Sequence, residues 1–222
     1  MYATLEASAQ ILELSPRQNA KDALDILSTL SILSRVPLPL AFFEGAWKGA
    51  RKANALGDDD DFHTFIRWHT ETSLLPPFIQ AESKDWDPYR VVEAIRLLAS
   101  LSLIAEHKLG NSTEVPMHPL AHRWARVRQS TLAQKQAWLT TGAVIALASD
   151  CRHPVWYLHQ ELTQLHIHSW LEQKDNCLLS GKYQREIAQM MVIVGWQLCR
   201  MGQMRHSRVC LRTYSQPAIL TH

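Results

Sequence analysis

PYRVVEAIRLLASLSLIAEHKLGNSTEVPMHPLAHRWARV, running from Pro88 to Val127, is the stretch on which the reading of the fold turns. Pro88 stands where the first turn of a helix accepts proline, because a backbone N–H there has no intrahelical partner to lose. From Tyr89 to Leu101, the residues Val91, Ala94, Ile95, Leu98 and Leu101 recur at helical steps, which predicts a helix that buries this face and leaves Arg90, Glu93 and Arg96 outside. The period then changes. Leu103 to Leu109 reads as a short strand, Gly110-Asn111-Ser112 as a turn, and Thr113 to His118 as a returning strand. Pro119 opens another helix, for which Leu120, Trp124 and Val127 are the predicted apolar face.

Upstream, Ala20, Ala23, Leu24, Leu27 and Leu30 share one face of a helix predicted over Ala20 to Leu33, and Pro37 and Pro39 stop it. Leu40 to Ala50 then starts a second helix, with Phe43 and Trp47 four residues apart on one side. The acidic run Asp58 to Asp61 precedes Phe62 to His69, where negative charge favours the positive end of a short helix. A calcium loop would also need a glycine and a distal glutamate at set positions, and both are missing. Pro76-Pro77 and Asp85-Trp86-Asp87-Pro88 punctuate the middle of the module.

Downstream of Gln129 every signal is helical: Thr131 to Ser149, Trp156 to Glu172, Tyr183 to Met201 and Met204 to Tyr214, with breaks at His153-Pro154, Ser180-Gly181 and Met201-Gly202. The expected fold class is therefore mainly α. Residues 1–129 would form a winged-helix-like domain with a small two-stranded β-hairpin, and residues 130–222 antiparallel helical hairpins.

The 222 residues suffice for a buried core, and 46% hydrophobic with 20% charged residues is a globular composition. A net charge of +2 argues by itself for neither nucleic acid nor a membrane surface. Apolar runs such as Leu97 to Leu103 and Met190 to Val194 stop far short of the roughly 18 to 20 residues that cross a bilayer, so no membrane partner is expected. Met1 to Glu6 lacks the basic start and apolar core of a secretory signal, and Cys151, Cys177, Cys199 and Cys210 show no CxxC spacing. Both features point to reduced thiols in the cytoplasm.

Several chemistries lack their residues. A phosphate-cradling loop needs GxxxxGK followed by Ser or Thr; Ser180-Gly181-Lys182-Tyr183 has neither the upstream glycine nor the hydroxyl for magnesium. His153, His159, His166 and His168, with Cys151 nearby, contain ligand types for zinc, yet His166 and His168 point about 200° apart on a helix, so no metal is expected. No glycine-flanked nucleophile elbow is present either, and the chain is expected to be non-catalytic.

The segments Met1 to Gln10, Ala23-Leu24-Asp25-Ile26-Leu27-Ser28, Pro39 to Trp47 and, above all, Met117-His118-Pro119-Leu120-Ala121-His122-Arg123-Trp124-Ala125-Arg126 carry a resemblance. Over roughly residues 1 to 130 the chain resembles the region that follows the ATPase core in fungal signal-transducing NTPases of the NB-ARC (STAND, NLR-like) class, where a winged helix and tetratricopeptide repeats follow the nucleotide-binding core. In that family a Met-His-Asp-like motif ends the winged helix, and its histidine approaches bound ADP. The resemblance places Met117 and His118 in that nucleotide-sensing role, with Pro119 replacing the carboxylate.

Val194-Gly195-Trp196-Gln197-Leu198-Cys199-Arg200-Met201-Gly202-Gln203 looks like the first helix of a tetratricopeptide repeat, without a second copy at the repeat period. An array cut short there would leave an apolar face for a continuation or a partner to cover. The implied role is a regulatory and protein-interaction module that couples nucleotide state to a repeat array. Its partner would be an NB-ARC core or another helical protein, and it would bind no cofactor except ADP or ATP on a P-loop domain supplied by another chain or a longer gene product. The rival reading is a DNA-binding winged helix using Arg123, Arg126 and Arg128 on phosphates; Tyr89 to Leu101 offers only Arg90 and Arg96 as cations, which disfavours nucleic acid.

Overall fold

The computed structural model describes residues 2–55, 74–80, 85–109, 112–148, 160–174 and 184–214. In chain order these form α1 (Tyr2–Glu13), α2 (Gln18–Ile32), β1 (Leu38–Pro39), α3 (Ala41–Ala55), α4 (Pro88–Ser100), β2 (His107–Leu109), β3 (Ser112–Val115), α5 (Pro119–Val127), α6 (Thr131–Ala148), α7 (Gln160–Glu172), α8 (Gln184–Arg200) and α9 (Met204–Tyr214). The fold is mainly helical with one small antiparallel sheet. The acidic run Asp58 to Asp61, the helix expected over Phe62 to His69 and the breaks at His153-Pro154 and Ser180-Gly181 lie outside the described residues.

The two-stranded hairpin is corrected to a three-stranded sheet in which β3 lies between β1 and β2. Leu38 pairs with Val115 and Pro39 with Glu114, and the Leu40 amide donates to the Thr113 carbonyl at 3.0 Å. Proline has no N–H to give a ladder, so Pro37 and Pro39 read as breaks; β1 lies at the sheet's edge, where that loss is tolerated. The strands of the hairpin are also shorter than expected. Ser102 sits in the left-handed region at φ 57°, the Leu103 amide reaches back to the Leu98 carbonyl at 3.0 Å, and the Ser102 amide to that of Ala99 at 2.9 Å. This 6→1 and 5→2 pair is a Schellman ending, and it buries Leu103 beside Leu98 before β2 begins.

α4 buries Val91, Ala94, Ile95 and Leu98 as expected, and Asp87 caps it by accepting from the Tyr89 amide at 3.0 Å. Arg90 is not a solvent-facing cation. Its Nη2 donates to Asp22 Oδ1 at 2.9 Å and its Nε to Oδ2, while Gln18 donates to the same carboxylate at 2.9 Å. Asp22 is fully buried, so this bidentate pair is what allows a carboxylate within the α2–α4 contact. Asp25, one turn along, faces the Asp22 charge from a half-buried position, and its carboxyl is raised to about 6 by desolvation first and by Asp22 second.

α5 corrects its predicted face. Ala121, Trp124 and Ala125 are buried, whereas Leu120 and Val127 are exposed, Val127 at 70%. Two alanines let α5 lie close against α2, and the C-terminal carbonyls of α2 are then satisfied from far along the chain. Arg126 Nη2 donates to Ser31 O at 2.8 Å, Ser169 and Gln173 donate to Ile32 O at 3.0 and 2.8 Å, and the His122 ring bonds Leu33 O at 2.8 Å. A cation at this negative helix end is electrostatically favoured as well. α1, which the apolar spacing did not announce, buries only Ala9 and Leu12.

α6 is apolar nearly all round and occupies the centre of the second half. α3 approaches it so closely that a Cβ at Gly49 would collide with the Leu147 carbonyl, and α7 and α8 so closely that one at Gly142 would collide with Trp170 and Met190. Trp138 and Trp170 stack at 4.7 Å and 12°, and each indole N–H donates to the other residue's carbonyl at 2.9 Å. The hydrophobic core is continuous across residues 129 and 130, running from Ala9 to Cys210. α8 and α9 form an antiparallel pair closed by a second Schellman turn: Gly202 lies at φ 77°, the Gln203 amide donates to Leu198 O at 2.7 Å and that of Gly202 to Cys199 O at 3.0 Å.

Candidate functional site

The expected sensing residues sit where β3 hands over to α5. β3 ends at Val115, so Met117 and His118 lie beyond the strand that was drawn through them. Met117 is buried in the core, while His118 is exposed as the N-cap of α5. Its Nδ1 accepts from the Leu120 amide at 3.2 Å, and Pro119 holds the first helical position, where its missing N–H costs nothing. An Nδ1 that accepts carries no proton, so the proton of the neutral ring is on Nε2. The histidine thus performs the local capping job and still presents a ring donor at a helix N-terminus, beside N–H groups that favour an anion.

The three arginines of the same segment are divided. Arg123 is exposed, but Arg126 is spent on Ser31 O, and burial lowers its pKa from the usual guanidinium value. Arg128 donates to Glu6 Oε1 at 3.0 Å and Glu13 Oε1 at 2.8 Å, and lies 5.0 Å over the Trp124 ring. Trp124 itself donates to Glu6 Oε2 at 3.1 Å. Arg128 therefore clamps α1 onto α5, and the hydrogen bond from its guanidinium holds the Glu6 carboxyl below its ordinary range. In α4, Arg96 pairs with Glu93 at 3.0 Å and Arg90 with Asp22. Four of the five cations once offered to a polyanion are thus engaged within the chain.

His122, His166 and His168 separate rather than converge. His122 is buried and its pKa is lowered, desolvation being the largest cause. His166 is buried against Phe42, with ring centroids 6.4 Å apart, and burial pushes its pKa down to about 4. His168 faces the other way, its ring 4.1 Å from that of His206, and desolvation lowers its pKa too. Among the described residues no group of three or more His, Cys, Asp or Glu is placed to hold a metal ion. Cys151, His153, His159 and Ser180 to Tyr183 lie outside the described residues. No helix among the described residues is long and apolar enough to cross a membrane.

The buried Asp22–Arg90 pair escaped sequence reasoning. Its one signal was a carboxylate flanked by the core alanines Ala20 and Ala23, with Arg90 at the head of an amphipathic helix. Comparison with protein-family models, with curated proteins and with solved structures finds no match to this chain.

Proposed function

We propose that the chain is a non-catalytic regulatory and interaction module that packs against a nucleotide-binding core of the NB-ARC (STAND) type and relays its nucleotide state to a helical array. The observation that carries the reading is His118. It is exposed immediately after the sheet, caps α5 with Nδ1, and keeps Nε2–H for an acceptor outside the chain. The order α2-β1-α3-α4-β2-β3, with β3 between β1 and β2, supports a winged-helix-like arrangement in which the β2–β3 hairpin is the wing. The α8–α9 pair with Gly202 at its turn supports a repeat-like hairpin. ADP or ATP would enter only on a P-loop core from another chain or a longer gene product.

The test is association with an NB-ARC-type core loaded with ADP or with a non-hydrolysable ATP analogue. The ADP-loaded core should bind more tightly, and His118→Ala should cost about tenfold of that preference, the scale of one hydrogen bond to a charged group. ATP turnover by the isolated chain, or equal binding of the two states, would sink the reading. The rival DNA-binding role draws on the same element order, but Arg90, Arg96, Arg126 and Arg128 are all engaged internally, so little salt-sensitive duplex binding is expected.

A further inference from the structure

We propose that His168 and His206 form a proton-sensitive latch that holds α9 against α7 at neutral pH and lets it swing away on acidification. Neither ring belongs to the segment around His118, so the latch acts apart from nucleotide sensing. The two imidazoles come from different helices, and their ring centroids lie 4.1 Å apart with the planes inclined at 34°. His206 is exposed and has water to solvate a charge, whereas His168 is partly buried and its Nε2 is shielded from water without a hydrogen-bond partner. A proton on His206 is tolerated. A second on His168 would be desolvated and would meet a like charge at contact distance.

The surrounding charges do not rescue it. From α7, Glu172 stands one turn beyond His168 and draws a proton toward it, but Glu172 is exposed and also acts on Arg126 of α5. Lys174, just past α7, acts on Cys210 of α9, and Arg205 flanks His206 on α9. Burial first and His206 second lower the His168 pKa against the pull of Glu172. The latched ring thus takes a proton less readily than a freed ring, whose ordinary value is 6.5, so protons collect on the open state and the contact weakens as pH falls through that value.

α9 is also the element best able to leave. Among its residues whose burial is described, Ser207 and Cys210 alone are buried, so little apolar area opposes release. α8 is anchored instead: Met190, Met191, Val194 and Leu198 are buried, and Met190 closes on Gly142 of α6. Between the two helices Gly202 turns at φ 77°, with nothing within 4 Å of the position a Cβ would take, which leaves room for a pivot.

Hydrogen exchange of the full chain, followed by mass spectrometry from about pH 7.5 to about pH 5.5 and corrected for the intrinsic pH dependence of exchange, reads the latch. Protection of α9 should fall about fivefold or more, the scale set by differential uptake of one proton, while α4 and α8 keep theirs. His168→Phe keeps a ring against His206 and takes no proton, so its α9 protection should not change with pH. His206→Glu, at an exposed position where folding is not at stake, gives His168 an opposite charge and should reverse the sign, tightening α9 as pH falls. Flat α9 protection in the parent, a loss shared with α4, an acid response retained in His168→Phe, or an acid-loosened His206→Glu chain would each overturn the proposal.

Discussion

The first five helices and the last four are fastened by different means. Between α1, α2, α4 and α5 the long-range ties are charged or hydrogen-bonded: Arg90 on Asp22, Arg128 on Glu6 and Glu13, Arg126 on Ser31 O and His122 on Leu33 O. Between α6, α7 and α8 the ties are shape and rings: the Trp138–Trp170 stack, the gap left by Gly142, and buried methionines. There the buried polar groups are less well served. Thr141 Oγ1, Gln189 Oε1 and both ring nitrogens of His166 lack a hydrogen-bond partner, and the Pro37 carbonyl lies beside that ring without closing a bond to it. Polar ties specify one arrangement because a misplaced partner is left desolvated; in the second half that part falls to the two reciprocal bonds of Trp138 and Trp170, and the packing around them loses energy by volume. The first half thus spreads its specificity over many polar ties, and the second concentrates it in one pair.

Three measurements break or sharpen that contrast. The largest effect is expected in the second half, where Trp170→Ala removes a fully buried indole, its stack and the hydrogen bond it donates to Trp138 O; chemical denaturation should show a loss of about 4 kcal/mol. In the first half Arg90→Met leaves Asp22 buried beside an apolar stem, and the same measurement should show a loss of about 3 kcal/mol. Most of that loss should return in Asp22→Asn/Arg90→Met, because the orphaned charge is the cause. If Arg90→Met costs nothing, the first half is not held by its charges.

The smallest effect separates the halves by the sign of their pH response. His166 titrates near 6.5 in the unfolded chain and at about 4 when folded, so the unfolded chain holds the extra proton between those values and stability falls as pH drops through them. Asp25 is the reverse: 3.8 unfolded and about 6 folded, so its contribution rises as pH drops from about 6 toward 3.8. Relative to the parent chain, His166→Phe should gain about 2 kcal/mol as pH falls from 7 to 4, and Asp25→Asn should lose about 2 kcal/mol over the same range. Parallel pH curves for variant and parent would show that neither site is as desolvated as its packing implies.

What was legible in the sequence follows the same division. α4 and α2 were readable because one face of each is apolar at helical spacing, and the Thr131, Gln184 and Met204 helices because apolar residues and breaks alternate clearly. α1 was not, since it buries two residues and is held by Trp124 and Arg128 from more than a hundred residues away. β1 was hidden by its own prolines, whose fitness for an edge strand depends on where β3 lies. His118 was legible as a residue at the junction of strand and helix, whereas its cap bond to the Leu120 amide depends on where β3 ends. Arg126 and Arg128 looked available because sequence shows a charge and not its distant partner.

The two reciprocal bonds of Trp138 and Trp170 also fix a length. Sliding α7 along α6 by one residue, about 1.5 Å, would break both bonds and unstack both rings at the same moment. There is no partial slip to absorb a small push. A displacement imposed on α7 must therefore carry α6 with it, and through the close glycine contacts α3 as well, so that the pair works as a keyed joint and not as a bearing.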